Sequence, residues 1–262
     1  MVNKLQKKIL ILALQAGEIM MKSGAEIYRV EDTITRICRA CKIPYVECFA
    51  TTTGIFLSID SGSEDSDMHT FIKRIRTSSI DLTKISKINN FSRAFTTTDL
   101  TLEEGFKIVK EIGAIKPLPF HLRLLGACLI SAFFCLILGG CFRDSICAAL
   151  IGLIVYTVAS GVELLQFNPF IRIFFGCALC TLLSLVSLRT GVGLNLDPMI
   201  IGSITMFLPG VALTNAARDI LSGDMLAGIA RATEAFVSAI AIAGGVGMVL
   251  KISHIISGGL FL

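Results

Sequence analysis

Between residues 121 and 262 one pattern recurs five times: an apolar run about 18–20 residues long, then a short polar link. The runs fall at roughly 122–140, 145–162, 170–188, 198–217 and 232–250. At ~1.5 Å per helical residue, each is long enough to cross a hydrocarbon core of roughly 30 Å. Backbone in hydrocarbon finds no water to bond with, so such a run must satisfy its amides internally, as a helix. The pattern therefore predicts an α-helical polytopic membrane domain of five transmembrane helices embedded in a lipid bilayer.

Charge follows the same division. Residues 1–120 hold 17 of the 24 Lys/Arg and 14 of the 20 Asp/Glu, and residues 121–262 hold the remaining 7 and 6. The break near 115–119 separates a small cytosolic α+β domain (1–120) from the five-helix domain (121–262). A hydrophobic fraction of 53% and a mean hydropathy of +0.75 exceed those of soluble domains. A net charge of +4 is too small and too dispersed for a nucleic-acid partner. Residues 1–14 do not read as a cleavable signal, because Gln15, Glu18 and Lys22 continue them as an amphipathic helix. Of nine cysteines, five lie inside apolar runs, and Cys38-Arg-Ala-Cys41 lacks a second ligand pair in its domain. That leaves no metal site and predicts reduced thiols.

Within 1–120, Leu5, Ile9, Leu12, Ala16, Ile19 and Met20 predict a helix over 4–22. Ser23-Gly-Ala-Glu26 reads as a capping box opening a second helix, which runs to about Lys42 before Pro44. Strands are expected at 45–50 and 53–59, a turn at 61–65, and a partner strand at 68–76. Helices follow at 81–95 and 101–113, the second opened by the capping box Thr101-Leu-Glu-Glu104. Arg29, Glu31, Asp32 and Arg36 read as a solvated helix face. No catalytic constellation stands out.

The fourth run carries the informative chemistry. Pro209 and Gly210 interrupt it slightly past its middle, freeing a carbonyl near Thr205, which is how transport proteins offer backbone to a polar substrate. A packing kink would look the same from sequence. Thr214 and Asn215 add donors and acceptors, and Arg218 and Asp219 follow at the cytosolic end as a gate or entry point. Asp219 and Asp224 equally read as helix caps, and Arg231 and Glu234, spaced i,i+3, as a local pair. Glu163 and Arg172 complete a set of charges at the helix ends. Small residues dominate the fifth run, from Ala232 to Gly247, as close helix packing requires. Placing residue 1 inside puts Lys110, Lys116, Arg123, Arg172, Arg218 and Arg231 in the cytosol, against Arg143, Arg189 and Lys251 outside, with Leu262 outside.

Two segments carry a resemblance. Met206-Phe-Leu-Pro-Gly-Val-Ala-Leu-Thr-Asn-Ala-Ala-Arg-Asp-Ile-Leu-Ser-Gly-Asp224 resembles the threonine/serine exporter family (ThrE-like). Ala16-Gly-Glu-Ile-Met-Met-Lys-Ser-Gly-Ala-Glu-Ile-Tyr-Arg-Val-Glu31 is similar to that family's opening motif. The resemblance implies a non-enzymatic, secondary-active exporter of threonine and serine, or of a dicarboxylate such as succinate, in the cytoplasmic membrane of a bacterium. It further implies a split YjjP-type subunit working with a YjjB-type membrane partner, oligomeric, without a cofactor and driven by proton motive force. The substrate-pathway residues it marks are Pro209, Gly210, Thr214, Asn215, Arg218, Asp219 and Asp224, to which Glu234 is added from the fifth run. A membrane-anchored cytosolic enzyme and a membrane ligand sensor are the alternatives.

Overall fold

The computed structural model describes residues 2–60, 68–76, 79–163 and 167–256. In chain order it contains α1 (Val2–Lys22), α2 (Ile27–Ala40), β1 (Tyr45–Thr51), β2 (Gly54–Asp60), β3 (His69–Arg74), α3 (Leu82–Thr97) and α4 (Leu102–Gly113). There follow α5 (Phe120–Ile137), α6 (Phe142–Glu163), α7 (Pro169–Arg189), α8 (Leu196–Ile204), a 3-10 turn (Thr205–Phe207), α9 (Gly210–Leu221) and α10 (Met225–Ile256). The expected turn at 61–65 and the side chain of Glu163 lie outside the described residues.

These elements form two compact units. One comprises Met1–Pro117 together with Val211–Ala232, and the other Leu118–Gly210 together with Thr233–Leu262. The N-terminal unit thus recruits α9 and the first turns of α10 from far along the chain.

In the N-terminal unit, the apolar stripe of α1 and that of α2 meet in one core of large side chains. Leu10, Leu12, Met20, Ile27, Ile34 and Ile37 are fully buried there with Ile55 and Leu57 of β2. The strands pair antiparallel in the order β1-β2-β3, with Phe49 opposite Phe56 and Phe56 opposite Ile72. Alternation turns Ile55, Leu57 and Ile59 inward. The capping box of α4 forms as its sequence predicts. Thr101 Oγ1 accepts the Glu104 N–H at 3.3 Å, and the Glu104 carboxylate accepts the Thr101 N–H at 2.8 Å.

In the second unit, α5, α6, α7 and α10 are each long and apolar enough to cross a membrane. Residues 196–221 make a fifth span only if the helices on either side of their break are taken together. Large apolar side chains face outward, among them Leu125, Phe133, Leu150, Ile154, Phe175 and Phe236, as lipid contact demands. The interior is rich in small and polar residues, beside the buried Ile151, Val155, Leu185 and Met199. A Cβ on Gly202 of α8 would lie 2.8 Å from the Ser131 carbonyl and the Cys135 amide of α5, so these helices touch backbone to backbone. A Cβ on Gly245 of α10 would lie 2.3 Å from the Phe174 carbonyl of α7.

Candidate functional site

The turn between α1 and α2 is where the chain's two resemblance-bearing segments meet. After Lys22 the backbone turns through Gly24, whose φ of +79° lies in the left-handed region. The Ala25 N–H donates to the Met20 carbonyl and the Gly24 N–H to the Met21 carbonyl, closing α1 with a Schellman motif. The expected Ser23–Glu26 capping box does not form. Glu26 is the N-cap of α2, and its side chain makes no cap hydrogen bond. The turn is left with outward carbonyls at Gly24 and Ala25, and the first amides of α2 need an acceptor.

Residues about 190 positions later supply the missing partners. Asp219 Oδ1 accepts the Ile27 N–H at 3.0 Å, capping α2 from another helix and placing a carboxylate at its positive end. Asn215 Nδ2 donates to the Gly24 carbonyl at 2.9 Å, and Arg231 Nη2 to the Ala25 carbonyl at 2.6 Å. Arg218 Nη1 donates to Glu26 Oε1 at 2.7 Å, and Arg29 holds the other Glu26 oxygen at 2.8 Å. The α9 periodicity explains the alignment, because Asn215, Arg218 and Asp219 fall at i, i+3 and i+4 on one face. A second left-handed glycine, Gly223 (φ +93°), reverses the chain into α10. There Gly228 lets α10 approach α9, where a Cβ would lie 2.4 Å from Ile220 and 3.0 Å from the Ala216 carbonyl. That approach carries Arg231 to Asp219.

The electrostatics are those of a latch. Asp219 is fully buried. Its Oδ2 lies 3.3 Å from Arg231 Nε, yet has no aligned hydrogen-bond donor among the described residues. Burial alone would raise the Glu26 carboxyl. Its own backbone N–H and the guanidinium groups of Arg218 and Arg29 outweigh burial and hold it below the ordinary glutamate range. Glu31, the last residue of the opening motif, accepts the Ala50 N–H at 2.7 Å. Burial raises its carboxyl, the Ala50 N–H opposes this, and the charge of Asp224 adds to the rise. Arg218 differs from the rest, because its side chain stays 57% exposed while bound to a glutamate that is only 6% exposed.

The structure brings together Asn215, Arg218, Asp219 and Asp224. Thr214 is exposed on the same helix, and Pro209 and Gly210 fall in the other unit. Glu234 is exposed, and among the described residues the ion pair of Arg231 is with Asp219 rather than with Glu234, three residues along its own helix. The carbonyl expected to be free at Thr205 accepts the Leu208 N–H at 3.1 Å, because the helix tightens into a 3-10 turn before Pro209. Glu26 and Arg29, read from sequence as part of a cap and of a solvated face, are central to the site. The only local signal was their i,i+3 spacing within the opening motif, which gives the Glu26–Arg29 pair but not its partner Arg218 in the second motif.

Asp144, at the start of α6, is a second buried carboxylate and is fully satisfied. It accepts the Leu194, Asn195 and Cys141 N–H groups at 2.6, 3.2 and 3.0 Å and the Asn195 side-chain amide at 2.8 Å, tying α6 to the α7–α8 connection.

Comparison with known proteins places the chain in a family. A curated relative from Mycobacterium tuberculosis, named "Probable threonine/serine exporter", is 21% identical over 230 residues. The match covers 87% of this chain but 43% of the relative, so the chain spans less than half of that protein's length. No solved structure matches. The ThrE model, which describes threonine/serine exporters, matches residues 11–253 and takes in both segments of the latch. The chain belongs to the threonine/serine exporter family.

Proposed function

We propose that this chain is a subunit of a secondary-active exporter that moves small polar metabolites, threonine and serine or a dicarboxylate such as succinate, across the bacterial cytoplasmic membrane. In this reading the N-terminal unit faces the cytosol, proton motive force drives export, and a YjjB-type membrane partner completes the oligomeric transporter. The latch is the cytosolic gate. The observation that carries the reading is Arg218, a half-exposed guanidinium held by the buried Glu26 carboxylate at 2.7 Å. A substrate carboxylate reaching Arg218 competes with Glu26 for the same donors, and winning that competition frees the α1–α2 turn. Asp219 ties the same turn down through the Ile27 N–H, so opening requires both contacts to yield.

The test is efflux of threonine, serine and succinate from loaded vesicles containing the full chain, with and without the partner subunit. Arg218→Ala and Asp219→Asn are each expected to lower efflux at least tenfold. Normal transport by both variants would remove the gate assignment. Efflux of none of the three solutes with the partner present would remove the exporter reading itself.

A further inference from the structure

The second unit holds a half-open cleft of about 480 Å3, within the size range of small-molecule sites and sharing no residue with the latch. Arg123, in the first turn of α5, and Arg172, in the first turn of α7, lie on its wall. Tyr156 and Ser160, one turn apart on α6, add two hydroxyls. Met206 and Phe207, from the 3-10 turn before Pro209, close the lining.

Several features show a built wall. The Tyr156 ring packs against Phe120 with centroids 6.0 Å apart. Phe207 is seated on Gly176, where a Cβ would lie 2.5 Å from its ring. Among the described residues Arg123 enters no ion pair. An arginine next to a membrane core needs an anion or water, and the positive ends of α5 and α7 add to the potential beside it.

We propose that this cleft binds the carboxylate of the exported solute, with Arg123 as its anchor and the Tyr156 and Ser160 hydroxyls orienting it. The proposal rests on the exporter reading and adds to it a binding site apart from the gate. It also gives the break at Leu208-Pro209 a use: the tightened turn sets Met206 and Phe207 in the cleft wall. A lipid phosphate offers similar chemistry, because an apolar groove of about 280 Å3 adjoins the cleft at Ala159 and Arg172.

The experiment is thermal unfolding of the full chain in phosphatidylcholine nanodiscs, titrated separately with succinate, threonine and serine. At least one of the three is expected to raise the midpoint. Arg123→Gln should weaken that binding about tenfold, as loss of a charge-assisted contact does, and Arg123→Lys should retain part of it. Tyr156→Phe should weaken it a few-fold. Arg143→Gln, a charge-matched change outside the cleft, should leave it unaltered. The proposal is overturned if no probe stabilises the protein, or if Arg123→Gln binds as wild type does. It is also overturned if stabilisation appears only when phosphatidylglycerol is added, which would assign the cleft to lipid. Efflux on the same preparations separates the two readings. Export at unchanged apparent affinity in Arg123→Gln removes the cleft and keeps the exporter. Binding lost in Arg123→Gln, with no efflux from wild type, keeps the cleft and removes the exporter.

Discussion

In the N-terminal unit the side chains most removed from solvent are large and aliphatic, as at Leu10, Leu12, Ile27, Ile34 and Ile55, and its exposed faces carry most of the charge. In the second unit the buried set is weighted to small and polar residues such as Ala127, Ser131, Cys135, Ala148, Cys180, Thr181, Ser184 and Ser203, beside a few aliphatics such as Ile151 and Leu185, while many phenylalanines, leucines and isoleucines face outward. Water drives the first arrangement by expelling apolar surface. Hydrocarbon removes that drive, so the second unit coheres through close backbone approach and internally bonded hydroxyls. Thr181 and Ser184 each donate to the carbonyl four residues earlier, at 2.9 Å, and spend their polarity within their own helix. Charge therefore has different uses in the two units. On the N-terminal unit it is abundant and also forms the latch. In the membrane unit Asp144 is enclosed by its four donors.

The largest expected effect tests that last contrast. Asp144→Ala leaves three backbone N–H groups and an amide without an acceptor and should cost at least about 3 kcal/mol, seen as a collapse of the unfolding midpoint in detergent. Asp144→Asn, which retains one carbonyl acceptor, should cost less.

Next comes a paired glycine experiment. Gly202→Ala pushes a methyl against backbone and should cost about 1–3 kcal/mol. Gly17→Ala in α1 has only side-chain atoms nearest to it, Ile34 Cδ1 at 2.5 Å, Ile34 Cγ1 at 2.9 Å and Ile55 Cδ1 at 3.2 Å. It should cost less than Gly202→Ala, because alanine's helix preference of about 1 kcal/mol offsets part of the repacking. Equal costs would break the distinction between backbone-packed and side-chain-packed units.

The smallest effect is in pH. Glu26 has a depressed carboxyl in the folded protein, so its contribution is present above the ordinary value of 4.5 and disappears as pH falls through the lower folded value. Wild type should therefore lose more stability than Glu26→Gln on acidification below 4.5. Identical acid profiles would mean that Arg218 and Arg29 do not stabilise the charged form.

What the sequence revealed and what it hid divide along physical lines. Apolar period and span length are local signals, so α1, α2, the strand pairs and the long apolar helices were all legible. So was the Thr101–Glu104 cap, whose partners are three residues apart. The latch was not, because side-chain spacing reports only neighbours on one helix. It offered Glu234 to Arg231, whereas the approach at Gly228 gives it Asp219. Nor did the fourth apolar run show that its halves belong to different units, since hydropathy is blind to which core a helix joins. The role of Asp144 depends on a connection 50 residues away and left no local trace.

The contact of α5 with α8 at Gly202 also limits how the membrane unit can work. The atoms nearest to a Cβ at Gly202 would be the Ser131 carbonyl, the Cys135 amide and the Cys135 Cβ, none of which a change of rotamer can move aside. At Gly152 of α6, by contrast, a Cβ would meet the Ser131 hydroxyl at 2.3 Å before the Ala127 carbonyl at 3.1 Å, so α5 and α6 touch there through a small side chain. On the exporter reading proposed above, α5 and α8 therefore move together as one rigid pair in any rocking motion. In that reading the strokes of the transport cycle belong to the elements that flank this pair.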